Sequence, residues 1–163
     1  MKLFLLRSAE AAQGKKDSRR KLTENGIESL TALAGFLKKK DLGEVAEIRH
    51  SPFVRATQTA KRFKKLIGIK ANTRETLLLE PLADFRILAD FIESSNETLL
   101  LVGHQSNLAH LGSYLLTRES DTALLDLKPG GMACLEAANH REDTCATGLE
   151  WQLSWQIRPR MFT

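Results

Sequence analysis

Residues 2–12 read "KLFLLRSAEAA": four consecutive apolar residues, Leu3 to Leu6, stop at Arg7 and Ser8, and the chain turns small and polar. An apolar run without alternation suits a strand covered on both faces, which is the habit of a central strand in a parallel sheet. "TLLLVG" at 98–103 has the same character. Between the two runs the spacing is helical. Ile27, Leu30, Leu33, Ala34 and Leu37 follow Thr23, which suits an N-cap, and Lys38–Lys40 would sit favourably at the C-terminal end of that helix dipole. Val45–Arg49 predicts a second strand. "HSPFVRATQTAKRF", from His50, predicts a helix beginning near Phe53, with Ser51 as N-cap and Pro52 at the first helical position. A strand within 70–78, a helix marked by Phe85, Leu88, Ala89 and Ile92, and a helix over 107–117 complete the alternation.

The C-terminal part changes period. In "LEWQLSWQI", from Leu149, the residues Leu149, Trp151, Leu153, Trp155 and Ile157 alternate with polar ones, which predicts a half-exposed strand, and "GMACLEA" at 131–137 is its expected antiparallel neighbour. Buried strands alternating with helices and then a hairpin predict a three-layer α/β/α sandwich. The sheet would be mostly parallel with a C-terminal antiparallel hairpin, in a single domain over 1–163.

A chain of 163 residues can bury roughly two-thirds of its unfolded surface, so it needs neither disulfide nor metal to fold. With 42% hydrophobic and 27% charged residues and no repeat or low-complexity tract, disorder is not indicated. Arg7 interrupts the first apolar run short of the roughly 7–15 residues of a signal-peptide core, so a cytoplasmic protein is expected, with no membrane segment. Cys134 and Cys145 form no C-x-x-C pair and read as free thiols; no metal or cofactor is expected. The net charge of +4 comes in bursts: "GKKDSRRK" at 14–21, "KKK" at 38–40 and "KRFKK" at 61–65. The last two fall on helical segments and read as solvated faces, without the interleaved aromatics of a single-strand-binding surface. The first lies in the loop leaving the first strand.

In an open α/β sheet, ligands bind beyond the carboxyl ends of the strands. The first strand ends in Arg7-Ser8, the second in His50-Ser51 with Arg55 in the next helical turn, and "TLLLVG" in Gly103-His104. Guanidinium forks match phosphate oxygens, and a helix N-terminus adds free N–H groups and the positive end of its dipole. The set points to a phosphoryl group.

At these residues the chain also resembles a family. "LFLLRSAEA", "DSRRKLTENG", "SPFVRATQTA", "LLLVGHQSNL" and "WQLSWQIRP" are similar, in order and spacing, to the histidine phosphatase superfamily, which includes the phosphoglycerate mutases, and within it to the short SixA-type phosphohistidine phosphatases. The resemblance implies a phosphoglycerate mutase-like fold. It also implies a histidine at the end of the first strand that attacks phosphorus, and two arginines and a second histidine that hold the phosphoryl oxygens. Carried over, Arg7 and Arg55 match the arginines, His104 the second histidine, Arg20 an arginine that frames the pocket, and Ser51 the "SP" turn. At the nucleophile the pattern breaks: where the family has "RHG" or "RHA", this chain has Arg7-Ser8-Ala9.

A serine hydroxyl needs an adjacent base to attack, whereas neutral imidazole attacks as it is. The expectation is therefore a phosphoryl-binding homologue, inactive or impaired through Ser8, whose ligand is a phosphorylated small molecule or a phosphohistidine protein. The alternatives are an active phosphohydrolase that uses His50, Ser8 or water, and a basic α/β domain that binds nucleic acid. Glu80, before Pro81, is the one carboxylate named as a general acid; Gln105 and Ser106 depart from the acidic residue and proline many SixA-like chains carry there. His110 and His140 are given no role.

Overall fold

A computed structural model describes residues 1–119, 121–138 and 150–159. Six strands form one sheet: β1 (Lys2–Arg7), β2 (Glu47–His50), β3 (Asn72–Glu75), β4 (Leu99–Gly103), β5 (Met132–Ala138) and β6 (Glu150–Ile157), in the order β3-β2-β4-β1-β5-β6. Strands β3, β2, β4 and β1 run parallel, while β5 is antiparallel to β1 and β6 to β5. The apolar runs explain this arrangement. Leu3 and Leu5 of β1, with Leu99 and Leu101 of β4, face one core; Phe4 and Leu6, with Leu100 and Val102, face the other. With both faces buried, these strands have no polar side and no need of alternation.

The helices cover the two faces. On the first side lie α4 (Phe85–Ser95) and α5 (Gln105–Thr117), contributing Leu88, Ile92, Leu108 and Leu111; on the second lie α1 (Glu24–Phe36), the single turn α2 (Lys39–Leu42) and α3 (Val54–Ile67), contributing Leu33, Leu42, Ala60 and Phe63. The result is the three-layer sandwich expected from the sequence.

The capping of α1 follows the sequence reading. The Thr23 hydroxyl oxygen accepts from the Gly26 N–H at 3.0 Å and its O–H donates to the Glu10 carboxylate at 2.7 Å. Three local expectations are corrected. The Lys38–Lys40 run does not close α1: Leu37 leaves helical geometry (φ −79°, ψ 133°) to bury its side chain, and Asp41 then caps the backbone of Lys38 at 2.7 Å at the start of α2. Ser51 is not the N-cap of α3; Phe53 holds that place in extended geometry (φ −63°, ψ 135°), and the Ser51 hydroxyl has another partner, described below. The alternation of β6 does not stay on one face. A register shift between Cys134 and Leu135 puts Trp155 opposite Cys134 and Leu153 opposite Leu135, so Ser154 is the extra residue of a bulge. Side chains change face across such a bulge: Trp151 packs in the first core, Trp155 and Ile157 in the second, and Leu153 is left 43% exposed. Leu149, His140 and Cys145 lie outside the described residues.

One close approach fixes the loop that leaves β1. Gly26, in the first turn of α1, lies against the backbone of Glu10, and a Cβ there would overlap the Glu10 carbonyl oxygen, which also accepts from the Thr23 N–H at 3.0 Å. Gly26→Ala is expected to lower stability by about 1–3 kcal/mol, the usual cost of forcing an extra methyl group into a filled site. An unchanged urea midpoint would contradict this.

Candidate functional site

The carboxyl ends of β1 and β4 open on a cavity of about 680 Å³ whose wall includes Arg7, Ser8, Arg20, Arg55 and His104. Pairing of the parallel strands creates it. Arg7 stands opposite Gly103, and the Ser8 N–H donates to the Gly103 carbonyl at 2.8 Å, so the residues that follow each strand leave the sheet side by side. His104 ends the extended chain and caps α5, whose first residues, Gln105 and Ser106, also line the cavity. First-turn N–H groups of a helix have no partner within it, so this wall carries the positive end of a dipole. The sequence reading started that helix two residues late, at Asn107, and looked instead to the helix after β2 for the anion-binding end.

Arg55 reaches the cavity from the first turn of α3. One terminal nitrogen donates to the Asp17 carbonyl at 2.8 Å; the other donates to the Asp17 carboxylate at 3.0 Å and lies 3.3 Å from His104 Nδ1. His104 Nε2 is 2.9 Å from the Ser51 hydroxyl, which also accepts from the Phe53 N–H at 3.3 Å. A guanidinium can only donate, so Nδ1 is the acceptor and Nε2 carries the proton, given to Ser51. Burial and the neighbouring Arg55 cation, with a smaller push from Arg7 and against the pull of Asp17, lower the His104 pKa to about 4. His104 is therefore neutral at pH 7 in the unliganded protein. Ser51 thus stands behind the site and holds the imidazole.

Arg7 is held from the other side. One of its terminal nitrogens donates to the Leu127 carbonyl at 2.7 Å; Gln105 grips the same segment at both ends, accepting from the Leu127 N–H and donating to the Leu125 carbonyl, each at 2.9 Å. A carboxylate at 105 could accept but not donate. Arg20 is stapled to its own loop: it donates to the carbonyls of Ala12 (2.7 Å) and Ala11 (3.0 Å) and to the Asp17 carboxylate (2.9 Å). Ser8 is 5% exposed, and its hydroxyl has no hydrogen-bond partner among the described residues.

Ser51, His50 and Glu80, all sequence candidates for the site, stay out of the cavity wall. His50 is buried, its Nδ1 2.9 Å from the Ser51 carbonyl oxygen and 3.4 Å from the Thr57 hydroxyl. Glu80 ends the short 3-10 turn at Leu77–Leu79; the wall in that region is made by Pro81, whose carbonyl accepts from Ser106 at 2.9 Å. Asp17 was missed. Its signal was present, since it is the single acid in "GKKDSRRK", but a local pattern does not say which cation a loop carboxylate will meet. Among the described residues no group of three or more His, Cys, Asp or Glu could hold a metal ion.

Comparisons with known proteins find similarity in sequence and in fold. Residues 5–78 match the model of the histidine phosphatase superfamily (branch 1). The phosphohistidine phosphatase SixA of Escherichia coli (strain K12) is 26% identical over 125 residues, covering 74% of this chain and 77% of that protein. Over these spans the chain is similar to the histidine phosphatase superfamily and to SixA. Its fold matches the structure of the protein histidine phosphatase SixA complexed with tungstate at a TM-score of 0.82, with 21% identity and full coverage of both chains. A mycobacterial glucosyl-3-phosphoglycerate phosphatase complexed with VO3 matches at 0.68, with 16% identity over 94% of this chain and 97% of the other.

The His104 environment carries a testable consequence. Between about pH 4 and the ordinary value of 6.5 the unfolded chain takes up a proton that the folded imidazole refuses, so the protein loses stability as pH falls through that interval. Nitrogen-detected NMR of the ligand-free protein should show His104 uncharged, protonated on Nε2 alone, at pH 6. A titration midpoint at 6.5 or above would show that burial and Arg55 do not govern the ring.

Proposed function

We propose that this chain binds a phosphoryl group, that of a phosphorylated small molecule or a phosphohistidine protein, between Arg7, Arg55 and His104, and that Ser8 stands where its relatives carry the nucleophilic histidine. The activity that follows is absent or severely slowed. The observation that carries the reading is the place of Ser8: it lines the cavity, and the imidazole that shares the wall is not free to act as its base, since both nitrogens of His104 are engaged, by Ser51 and by Arg55. An unactivated hydroxyl is a weak nucleophile, and a phosphoserine ester, once formed, would be harder to hydrolyse than a phosphohistidine.

The binding half of the site is complete by chemistry. Two arginine forks and the first turn of α5 offer donors to a tetrahedral dianion, and His104 would join them by protonation of Nδ1 once Arg55 turns to the ligand. Such a set also stabilises the charge that builds on phosphoryl oxygens during transfer, so a slow attack by water is the residual chemistry available. His50 offers no substitute nucleophile, because it lies off the cavity wall with Nδ1 turned to backbone.

The test is to put the imidazole back. Ser8→His should raise hydrolysis of a phosphoramidate or an aryl phosphate by about tenfold or more, equivalent to about 1.4 kcal/mol of barrier, because a positioned nucleophile removes the need to orient a water. Ser8→Ala should match the parent protein. Loss of a measurable parent activity in Ser8→Ala would make Ser8 the nucleophile and overturn the proposal; so would a Ser8→His protein that folds and binds phosphate yet gains nothing.

A further inference from the structure

The loop between β1 and α1 is closed at its base and latched at its tip. The Ala12 N–H donates to the Lys21 carbonyl at 2.9 Å, Ala11 bridges to Leu22, and the Leu22 N–H donates to the Gln58 side chain at 2.9 Å. Residues 13–21, "QGKKDSRRK", carry five cations and one anion, Asp17. A loop shaped only to draw anions toward the cavity would have no use for that carboxylate. Yet Asp17 points inward, one oxygen on Arg55 and the other on Arg20, while its carbonyl takes the second arm of Arg55.

The contacts spend the fork of Arg55. Both of its terminal nitrogens are engaged by Asp17, and one also faces His104, so a ligand that needs the fork must first remove the carboxylate. We infer that Asp17 is an intramolecular competitor for the phosphoryl site: its carboxylate occupies the place of ligand oxygens on Arg55, and oxyanions bind by exchanging with it. The inference rests on the phosphoryl-binding reading above. It adds to that reading that the Arg55 fork is engaged by the protein's own anion.

Burial makes the exchange feasible. The Arg55 side chain is 12% exposed and the Asp17 side chain 53%, so the cation stays fixed in the wall while its counter-ion sits at the solvent side of the pair. Exposed ion pairs are weak and yield to a better-placed partner. Burial would raise the Asp17 pKa, but hydrogen bonds from Arg55 and Arg20 outweigh it and hold the carboxyl below its ordinary value, so the latch is charged throughout the neutral range. Competition of this kind divides the affinity of every oxyanion by the same factor. Ambient phosphate, which has no other contacts, is kept out, while a ligand with further groups for the rim can still bind.

The experiment is isothermal titration calorimetry of inorganic phosphate at pH 8 against the parent protein, Asp17→Asn and Asp17→Ala, with thermal unfolding run alongside. Both variants should bind phosphate about tenfold more tightly, as expected if the latch is engaged in about nine molecules of ten. Equal or weaker phosphate binding in the two variants, with the parent still binding, would overturn the latch and make Asp17 a positioning residue for Arg55. No phosphate binding in any of the three proteins would overturn the phosphoryl site itself and the latch with it.

Discussion

Parallel pairing of β1 with β4 is the constraint on which the pocket depends. With Leu3 opposite Leu99 and Arg7 opposite Gly103, each strand releases its chain at the same level, and the Ser8 N–H bond to the Gly103 carbonyl holds the two exits together. Arg7, Ser8 and His104 are neighbours for that reason alone, although nearly a hundred residues separate them in the chain. A slip of one residue would turn every β1 side chain to the opposite core and carry Arg7 off the cavity wall. The apolar filling of both faces, Phe4 and Leu6 on one and Leu3 and Leu5 on the other, resists that slip.

Once the backbone is in place, the electrostatics follow from how each cation is anchored. Arg7 is held by the carbonyl of Leu127, a partner that carries no net charge. Arg20 and Arg55 share the Asp17 carboxylate, Arg20 with the carbonyls of its own loop besides and Arg55 with the Asp17 carbonyl and the His104 imidazole. The positive field of the site is consequently strong at Arg7 and partly cancelled at Arg55. The same field, with burial, keeps His104 neutral.

Legibility in the sequence divided along physical lines. Unbroken apolar runs announced the central strands, because burial on both faces leaves no other pattern, and strand ends in an α/β sheet named Arg7, Ser8, Arg55 and His104 as neighbours before any coordinates. What stayed hidden depends on contacts between segments far apart in the chain. The bulge at Ser154 reverses the facing of β6 without disturbing its alternation, so Trp151 and Trp155 look equivalent in sequence and lie in different cores. Ser51 carried a good capping residue's signature, and its hydroxyl went to His104, 53 residues away. Asp17 looked like one charge in a basic run, and only the approach of α3 to the loop shows which arginine it meets.

The central claim is that Arg7, Arg55 and His104 form one oxyanion site. The measurement that tests it most directly is a crystal structure of the protein grown with orthovanadate or tungstate. The account predicts one tetrahedral oxyanion with oxygens within about 3.2 Å of the guanidinium nitrogens of Arg7 and Arg55 and of a ring nitrogen of His104. An oxyanion seated elsewhere, or a cavity empty of it at saturating concentration, would contradict the account.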